Sequence, residues 1–341
     1  MPHISTTPQR VLVGLLASNQ KARTLECLDS LAATQGVEYE VFLVDNGSDE
    51  RIADAAAGYD FVQTDRRSEN LGCAGGRNII IRHFLEEGTW PYLFFLDNDA
   101  LVEPGTIHTL VQTVKTQLRD GRRLGGVGPH VVTVDDPQQL WCAGGACIDW
   151  DRGWFRESGG MQRRDQAFAN PRPLDTLTGG FMFVTREAVQ ATGFFTEPYF
   201  IYLEDTEWCW RMKLQGFELW SAPRAVCRHY GSSSLGGMSP SFHYYRVRNR
   251  LWFFSSFAPG AGVRLKAAII RHVFWHSFCL EARAWRGRGA LAVLRGITAG
   301  LRPPESVRAA ASVQRNLAQQ DAHTEVDAQS HEPSLGRPHA S

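Results

Sequence analysis

Two short apolar runs separated by a helical pattern constrain the fold of the first part of this chain. The runs Val11 to Leu16 and Tyr39 to Val44 are rich in branched side chains, and each is followed by polar residues, as in buried parallel strands. Between them, Lys21 to Thr34 places alanine and leucine at helical spacing. A strand, a crossover helix and a second strand predict the start of a mostly parallel α/β sheet flanked by helices.

The alternation of short strands and helices continues well beyond this first unit, and three regions follow from it. Residues 1–257 are expected to form one α/β domain, and residues 241–257 look helical. Residues 258–301 read as basic amphipathic helices. From Arg302 the composition becomes polar and poor in aromatics, which predicts a disordered tail over 302–341.

Composition excludes several classes of function. Lys plus Arg and Asp plus Glu number 36 each, so the charge balance predicts no nucleic-acid partner. The 7 cysteines form no C-x-x-C pair, which favours reduced thiols. The first residues lack the pattern of a secretory signal, and no apolar run is long enough to span a membrane. A cytoplasmic protein is therefore expected.

Asp97-Asn98-Asp99 directly follows the apolar strand Tyr92 to Leu96. Ligands of parallel α/β sheets bind at the carboxyl ends of strands, and two carboxylates there suit Mg²⁺ or Mn²⁺ shared with phosphates. A helix cap is the plainer alternative. A calcium loop of the EF-hand kind fails, because its fifth and sixth positions would be Leu101 and Val102.

His229 lies just after another predicted strand and is a candidate third metal ligand. A lone histidine is more often structural, so this assignment depends on where the fold places it relative to Asp97 and Asp99.

Asp45 ends the second strand and should share an edge of the sheet with Asp97. There its carboxylate could accept the N3–H of a uracil or thymine ring. Asp45-Asn46-Gly47-Ser48 would also form a turn without any ligand, and both readings can hold together. Ser18-Asn19, at the end of the first strand, falls on the same predicted edge.

A glycine-rich segment, residues 69–78, enters a predicted helix and contains Asn70, Gly75, Gly76 and Arg77. Free backbone N–H groups and a positive helix end would suit an anion, with Arg77 as a charge partner. It is not a dinucleotide fingerprint, since it follows the third strand and lacks G-x-G-x-x-G. The alternative is that the glycines only permit close packing of helix on sheet.

Glu204-Asp205 precedes a predicted helix that carries Trp208, and it follows an aromatic-rich loop. A carboxylate at a helix start is usually a cap. A sugar transfer with inversion, however, needs a base on the face opposite the leaving group. Aromatic rings nearby suit the apolar faces of sugars, and Gly179-Gly180 would let an acceptor approach the backbone.

These motifs, taken in order, resemble those of the inverting family 2 glycosyltransferases over residues 10–257. The glycine-rich segment and Tyr245-Arg246-Val247-Arg248-Asn249-Arg250 are most similar to the rhamnosyltransferase and galactofuranosyltransferase branch. The resemblance implies a GT-A fold and a nucleoside-diphosphate sugar donor, linked to dTDP or UDP. It also implies roles for individual residues: Asp45 at the base, Asp97 and Asp99 at the metal and diphosphate, Asp205 as catalytic base and His229 as a metal ligand.

The stretch from Gly260 to Gly300 carries seven basic residues against one acid, Glu281, with several aromatics among them. It could lie on an anionic membrane and bring the enzyme to a lipid-linked glycan or another saccharide acceptor. Packing against the main domain, or a homodimer surface, is the alternative.

Two other functions compete with a sugar transferase. A sugar nucleotidyltransferase should have a glycine-rich phosphate loop after its first strand, where this chain has Ala17-Ser18-Asn19-Gln20. A non-catalytic nucleotide-sugar-binding subunit would not need to keep Asp97, Asp99 and Asp205. The sequence therefore favours an enzyme of the glycosyltransferase class, acting in cell-surface polysaccharide or glycolipid assembly.

Overall fold

The computed structural model describes residues 10–157, 162–231, 239–258, 263–273, 275, 278–284 and 286–312. The strands are β1 (Arg10–Ala17), β2 (Glu38–Asn46), β3 (Val62–Arg67), β4 (Tyr92–Asp97), β5 (Ala100–Val102), β6 (Leu124–Thr133), β7 (Leu140–Ala143), β8 (Gly145–Asp149), β9 (Trp154–Glu157), β10 (Pro173–Leu174), β11 (Thr176–Leu177), β12 (Phe183–Thr185) and β13 (Glu218–His229). The α-helices are α1 (Lys21–Ala32), α2 (Ile52–Ala56), α3 (Gly72–Glu86), α4 (Thr106–Arg119), α5 (Arg186–Thr192), α6 (Glu204–Leu214), α7 (Pro240–Phe257), α8 (Val263–Val273), α9 (Cys279–Arg283) and α10 (Gly287–Gly300). Short 3-10 turns cover Arg164–Gln166, Gly179–Phe181 and Glu197–Tyr199.

The predicted strand-helix-strand unit is present at the start of the chain. β1 pairs in parallel with β2 on one side and with β4 on the other. The buried side of α1 carries Thr24, Cys27, Leu28 and Leu31, which is the helical spacing that the sequence shows.

The main sheet has the order β10-β13-β6-β12-β4-β1-β2-β3, with β5 pairing with β13 and β7 with β6. The β4-β1-β2-β3 half is parallel throughout, whereas β12 runs antiparallel to both of its neighbours. A second sheet contains β11, β8 and β9. The expected α/β fold, mostly parallel and flanked by helices, is confirmed.

Two apolar layers cover the faces of the main sheet because alternate side chains of its strands point to opposite faces. Val11, Val13 and Leu15 join one layer, while Leu12 and Leu16 join the other. Strands buried on both faces leave the strand ends as the places where polar side chains remain accessible.

The C-terminal helices pack against the rest of the chain through a third apolar cluster. This cluster joins Ile148 of β8 to Phe253 of α7, Ile269 of α8 and Val293 of α10. Gly296 allows α10 to approach α7, because an added Cβ there would lie 2.8 Å from the Tyr244 carbonyl oxygen. Packing on the main domain, one of the expected alternatives for residues 258–301, therefore occurs.

Residues 305–312, within the predicted tail, are helical, and Val307 and Ala311 are buried. Residues 313–341 lie outside the described residues, so disorder there stays a prediction, as does the division into three regions. Across the described ranges, no helix is both long enough and apolar enough to cross a bilayer.

Candidate active site

The carboxyl ends of β4 and β2, on either side of β1, bring two of the predicted site positions to one edge of the sheet. Asp97 is in register with Leu16, and Ala17 is in register with Asp45. Because the three strands are parallel, Asp97 and Asp45 end them at the same edge. The sequence prediction of a shared edge is therefore confirmed for these two residues.

Arg77 lies between two carboxylates that are distant in sequence. Its Nη1 donates to Glu204 Oε1 at 2.7 Å, and its Nη2 donates to Asp97 Oδ1 at 3.2 Å. The guanidinium and the Glu204 side chain are each only 4% exposed. Arg77 thus ties the start of α6 to the end of β4. Its charge is already paired with protein carboxylates. The prediction that Arg77 is available to pair with a bound anion is corrected accordingly.

The Gly179–Gly180 turn separates the carboxylates of Asp97 and Asp205. Gly179 N donates to Asp205 Oδ2 at 2.9 Å. A Cβ added at Gly179 would lie 2.6 Å from that same oxygen, and one added at Gly180 would overlap Asp97 Oδ2. Asp205 of α6 and Asp97 of β4 therefore contact two consecutive glycines. This close approach requires both positions to lack a side chain.

Asp205 lies in the first turn of α6, which begins at Glu204, two residues earlier than predicted. Its Oδ1 accepts from the Thr206 backbone N–H at 2.6 Å. The side chain is partly exposed, unlike that of Glu204. One carboxylate of the pair is therefore buried against Arg77, and the other reaches the cleft.

The site carries an excess of negative charge. Asp97, Glu204 and Asp205 surround the buried guanidinium of Arg77, and Asp99 interacts electrostatically with Asp97. Burial raises the pKa of Glu204, and the neighbouring Asp205 charge raises it further, while Arg77 lowers it. Burial also raises the pKa of Asp97, opposed by Arg77. Crowded carboxylates of this kind favour a bound cation.

Asp99 and His229 form a buried pair beside Asp97. His229 Nε2 lies 3.1 Å from Asp99 Oδ1, and both side chains are less than a tenth exposed. The position of His229 follows from the pairing of β13 with β5, which sets His229 opposite Ala100. The structure therefore pairs Asp99 with His229, and Asp97 interacts electrostatically with both.

Asp97, Asp99 and His229 remain candidate ligands of a divalent cation. His229 Nδ1 is buried without a hydrogen-bond partner among the described residues, while Nε2 faces a carboxylate. Within the described ranges no group of three or more His, Cys, Asp or Glu side chains is placed so that it could hold a metal ion by itself. Mg²⁺ and Mn²⁺ commonly take one or two protein carboxylates and complete their shell with substrate phosphates, so an open set of ligands fits.

A network of polar side chains lines the edge near β1 and β2. Asn70 Nδ2 donates to Ser18 Oγ at 3.2 Å, and Asn46 Nδ2 donates to Asn70 Oδ1 at 3.1 Å. Asn19 N donates to Ser48 Oγ at 2.8 Å, and Asn19 itself adopts a φ of 62°. The predicted substrate-binding positions Ser18, Asn19 and Asn70 thus belong to one connected surface.

Asp45 forms the predicted turn contacts. Its Oδ1 accepts from Ser48 N at 3.2 Å, and Arg66 Nε lies 3.7 Å from its Oδ2. The carboxylate is fully buried. The turn alternative for Asp45 is therefore present, and contact with a base would require this carboxylate to become accessible.

Two glycines of the segment 69–78 lie inside a helix instead of a loop. α3 begins at Gly72, so Gly75 and Gly76 are helical and buried. A Cβ at Gly76 would overlap Leu16 of β1. Close packing of helix on sheet, the alternative reading, accounts for Gly76, and the predicted phosphate loop ends at Leu71.

Trp208 corrects another prediction. Its indole is fully buried, stacks on Phe195 at 4.6 Å and donates through Nε1 to the Gly193 carbonyl at 2.8 Å. It is a core residue and cannot cover a sugar ring in this conformation. A partly exposed ring that the sequence analysis missed is that of Trp141, whose centroid lies 4.6 Å from the centroid of the His229 ring. It falls in a region of short strands where no periodicity marked it.

A second missed feature is the support of the loop before Asp205. Phe200, Tyr202 and Leu203 have φ of 65°, 66° and 65°, which non-glycine residues rarely adopt. Asn249 Nδ2 lies 2.8, 2.8 and 2.7 Å from the carbonyl oxygens of Tyr199, Ile201 and Tyr202, which share its two N–H donors. The motif 245–250, noted in the sequence only for its resemblance, therefore holds this loop in place.

Comparisons with known proteins agree with this architecture. Residues 13–122 match the family described as Glycosyl transferase family 2. Poly-beta-1,6-N-acetyl-D-glucosamine synthase of Staphylococcus aureus (strain COL) is 21% identical over 252 residues, covering 70% of this chain and 54% of its own length. The chain thus spans about half the length of this curated relative.

Two solved structures resemble the fold. GalNAc-T7 with UDP, GalNAc and Mn²⁺ matches with a TM-score of 0.61 at 13% identity, over 96% of this chain and 59% of its own. S. aureus TarS 1-349 in complex with UDP-GlcNAc matches with a TM-score of 0.52 at 15% identity, over 93% of this chain and 92% of its own.

The fold and the matches define the class of protein. The chain has the GT-A fold, and residues 13–122 match the glycosyl transferase family 2 model. Together these findings support a glycosyltransferase enzyme.

Proposed function

We propose that the protein is an inverting glycosyltransferase that moves a rhamnose-like or other hexosyl group from a nucleoside diphosphate to an acceptor hydroxyl. The observation that carries this proposal is the contact of Asp97 and Asp205 with the consecutive residues Gly180 and Gly179. Asp97, on the diphosphate side, and Asp205, on the acceptor side, thus face the same backbone turn. A single in-line displacement between them inverts the anomeric carbon.

Asp205 is the proposed catalytic base. Its carboxylate is partly exposed at the cleft, and the Gly179 and Thr206 N–H groups fix its orientation. In the reaction it accepts the proton of the acceptor hydroxyl as that oxygen attacks the anomeric carbon. Glu204, buried against Arg77, positions the helix start and does not face the acceptor.

Asp97, Asp99 and His229 are the proposed ligands of Mg²⁺ or Mn²⁺. Support comes from their proximity, from the excess of carboxylates and from the Mn²⁺ in the GalNAc-T7 structure. When bound, such an ion neutralises the charge of the departing diphosphate. Asp97 also holds Arg77 in place, so replacing it would affect both the ligand set and the ion pair.

Ser18, Asn19, Asp45 and Asn70 are the proposed nucleoside-binding surface. They meet at the carboxyl ends of β1 and β2, on the edge of the sheet where Asp97 also lies. A UDP or dTDP donor is proposed, because uracil and thymine both present an N3–H to a carboxylate acceptor such as Asp45. The UDP and UDP-GlcNAc in the two similar structures support UDP in particular.

The acceptor is proposed to be a lipid-linked glycan or saccharide, reached from the cytoplasmic face of a membrane. Exposed apolar side chains lie on the C-terminal helices, among them Val263, Leu291, Leu294 and Leu301, with Arg264, Arg288 and Arg295 also exposed there. Such a mixture suits an anionic interface. Removing 260–341 is expected to reduce sedimentation with anionic vesicles, and unchanged partition contradicts this part of the proposal. A homodimer stays an alternative use of the same surface.

The direct test is a transfer assay with UDP-, dTDP- and GDP-sugars, with thermal shift to detect donor binding. Turnover should disappear in chelator and return with Mg²⁺ or Mn²⁺. Binding without either transfer or donor hydrolysis would favour a non-catalytic subunit. Formation of a nucleotide sugar from a sugar phosphate and a nucleoside triphosphate would favour a nucleotidyltransferase.

A further inference from the structure

A cavity outside the catalytic cleft lies between β9, α7 and α8. Its volume is about 520 Å³. Basic side chains contribute much of its wall, and no Asp or Glu lines it within the described ranges; the residues that carry the argument are Arg156, Leu203, His243, Arg246, Arg250 and His272. A concave surface lined by positive charges concentrates anions.

Arg250 is fixed in this wall. Its Nε donates to the Gly153 carbonyl at 2.8 Å, and its guanidinium carbon lies 3.7 Å from the ring centre of Trp154. The side chain is buried, and it pairs with no carboxylate among the described residues. Burial and the nearby Arg246 charge lower the pKa of Arg250 to about 9. A buried guanidinium without a carboxylate partner is costly unless an anion joins it.

Glu281 is a buried acid near this wall. Glu281 lies 3.4 Å from His243 Nε2, and Arg286 Nη2 lies 3.0 Å from the same carboxylate oxygen. Glu281 therefore already pairs with His243 and Arg286, and it does not line the cavity. Among the described lining residues, basic side chains outnumber acidic ones.

The cavity adjoins the acceptor side of the proposed active site. Leu203 lines it and immediately precedes Glu204-Asp205 at the start of α6. The ring of Tyr202, one residue earlier, packs edge-on against Phe242 of the cavity wall at 5.3 Å. A molecule whose hydroxyl reaches Asp205 could therefore extend past Leu203 into this cavity.

We propose that this cavity binds a phosphate or diphosphate ester group of the acceptor, a role that rests on the proposed transferase function. Guanidinium groups match the oxygens of a phosphoryl group through paired N–H donors, which distinguishes them from a single ammonium charge. The rings of Trp154 and Phe155 beside them offer an apolar face to the group attached to the phosphate. The cavity would thus select acceptors by charge, apart from the chemistry at Asp205.

The test is calorimetric binding to the full-length protein in chelator, which keeps phosphates from entering through the metal site. The probes are inorganic phosphate, a sugar 1-phosphate and a short-chain alkyl diphosphate. Arg246→Gln and Arg250→Gln are each expected to weaken binding of the esters about tenfold or more, as for lost hydrogen bonds to a charged group. Arg246 is exposed, so its replacement should not unfold the protein.

Arg152→Gln is the matched control, because Arg152 is 82% exposed, pairs with Asp149 and lies outside the cavity wall. Its affinity should stay within about twofold of wild type. Tight binding of the sugar phosphate indicates a free acceptor, and tight binding of the alkyl diphosphate alone indicates a lipid-linked one. No binding by wild type, or equal binding by both cavity variants, overturns the inference.

The outcome is separable from that of the proposed function. Asp205→Asn should bind the esters as wild type does. Phosphate binding in a protein that transfers no sugar would contradict the transferase proposal alone. If the Arg246 and Arg250 variants transfer sugar to every acceptor as well as wild type does, only the proposal for the cavity is contradicted.

Discussion

The guanidinium of Arg77 lies 2.7 Å from the carboxylate of Glu204, although 127 positions separate the two residues in sequence. The same guanidinium reaches Asp97, at the end of β4. A single buried cation therefore joins α3, the central strand and the helix that carries Asp205. Its removal would leave carboxylates buried without a partner.

Replacing Arg77 with Met is expected to lower the free energy of unfolding by about 3–5 kcal/mol, the cost of breaking a buried ion pair from one side. Urea unfolding measures this. Arg82→Met, an exposed position on the same helix, should cost less than about 1 kcal/mol. Adding Glu204→Gln to Arg77→Met should recover part of the loss; an additive double variant would show that the two side chains act separately.

Gly180→Ala is expected to abolish most transfer while leaving the fold intact. The new methyl group would overlap Asp97 Oδ2 and displace that carboxylate from its position. We expect at least a tenfold loss of kcat/KM, because small misplacements of reacting groups can reduce rates by about 10²-fold. Gly58→Ala has open space around the added methyl group and should behave as wild type. Equal activity of the two variants would refute the close approach.

Asn249→Ala is expected to loosen the loop that precedes Asp205. Three carbonyls of that loop lose their amide donor, and the left-handed backbone at Tyr202 and Leu203 loses its restraint. A stability loss of about 2–4 kcal/mol should accompany a fall in kcat, with donor affinity nearly unchanged. Ser241→Ala, exposed on the same helix, is the control. A drop in donor affinity alone would place the effect elsewhere.

His130 should make the free energy of unfolding depend on pH. Burial lowers the pKa of its imidazole to about 4, and the charge of Arg164 contributes. Between pH 6.5 and 4 the imidazole of His130 binds a proton in the unfolded chain but stays neutral in the folded protein. The free energy of unfolding therefore falls as the pH falls. The contribution reaches about 3 kcal/mol at most. In His130→Gln, urea unfolding at pH 7, 6 and 5 should show a shallower decline; parallel curves would contradict the assignment.

Much of the fold follows from local patterns. The β1-α1-β2 unit was predictable because buried strands need apolar runs and a helix packed on a sheet needs apolar residues at helical spacing. Both patterns are visible in the sequence. Placing Asp45 and Asp97 at one edge required only that their strands be parallel. The antiparallel β12 was not predicted, because strand direction depends on pairings between distant segments.

The site was less predictable where burial decided a role. Trp208 and Arg77 have sequence neighbours that suggest ligand contact, yet one packs in the core and the other pairs with protein carboxylates. Both outcomes depend on how α6 packs near α3, which no local pattern reports. The cavity around Arg250 likewise joins β9 to two C-terminal helices, and its residues carry no shared motif.

The most direct measurement is transfer by Asp205→Asn, in parallel with donor binding. The amide keeps the shape of the carboxylate and can still accept from one of the Gly179 and Thr206 N–H groups, but it cannot take the acceptor proton. Turnover should fall by about 10²–10⁴-fold while the donor Kd stays within about threefold of wild type. Asp165→Asn, at an exposed carboxylate, should change neither quantity. Turnover by Asp205→Asn close to that of wild type would contradict the account of this site.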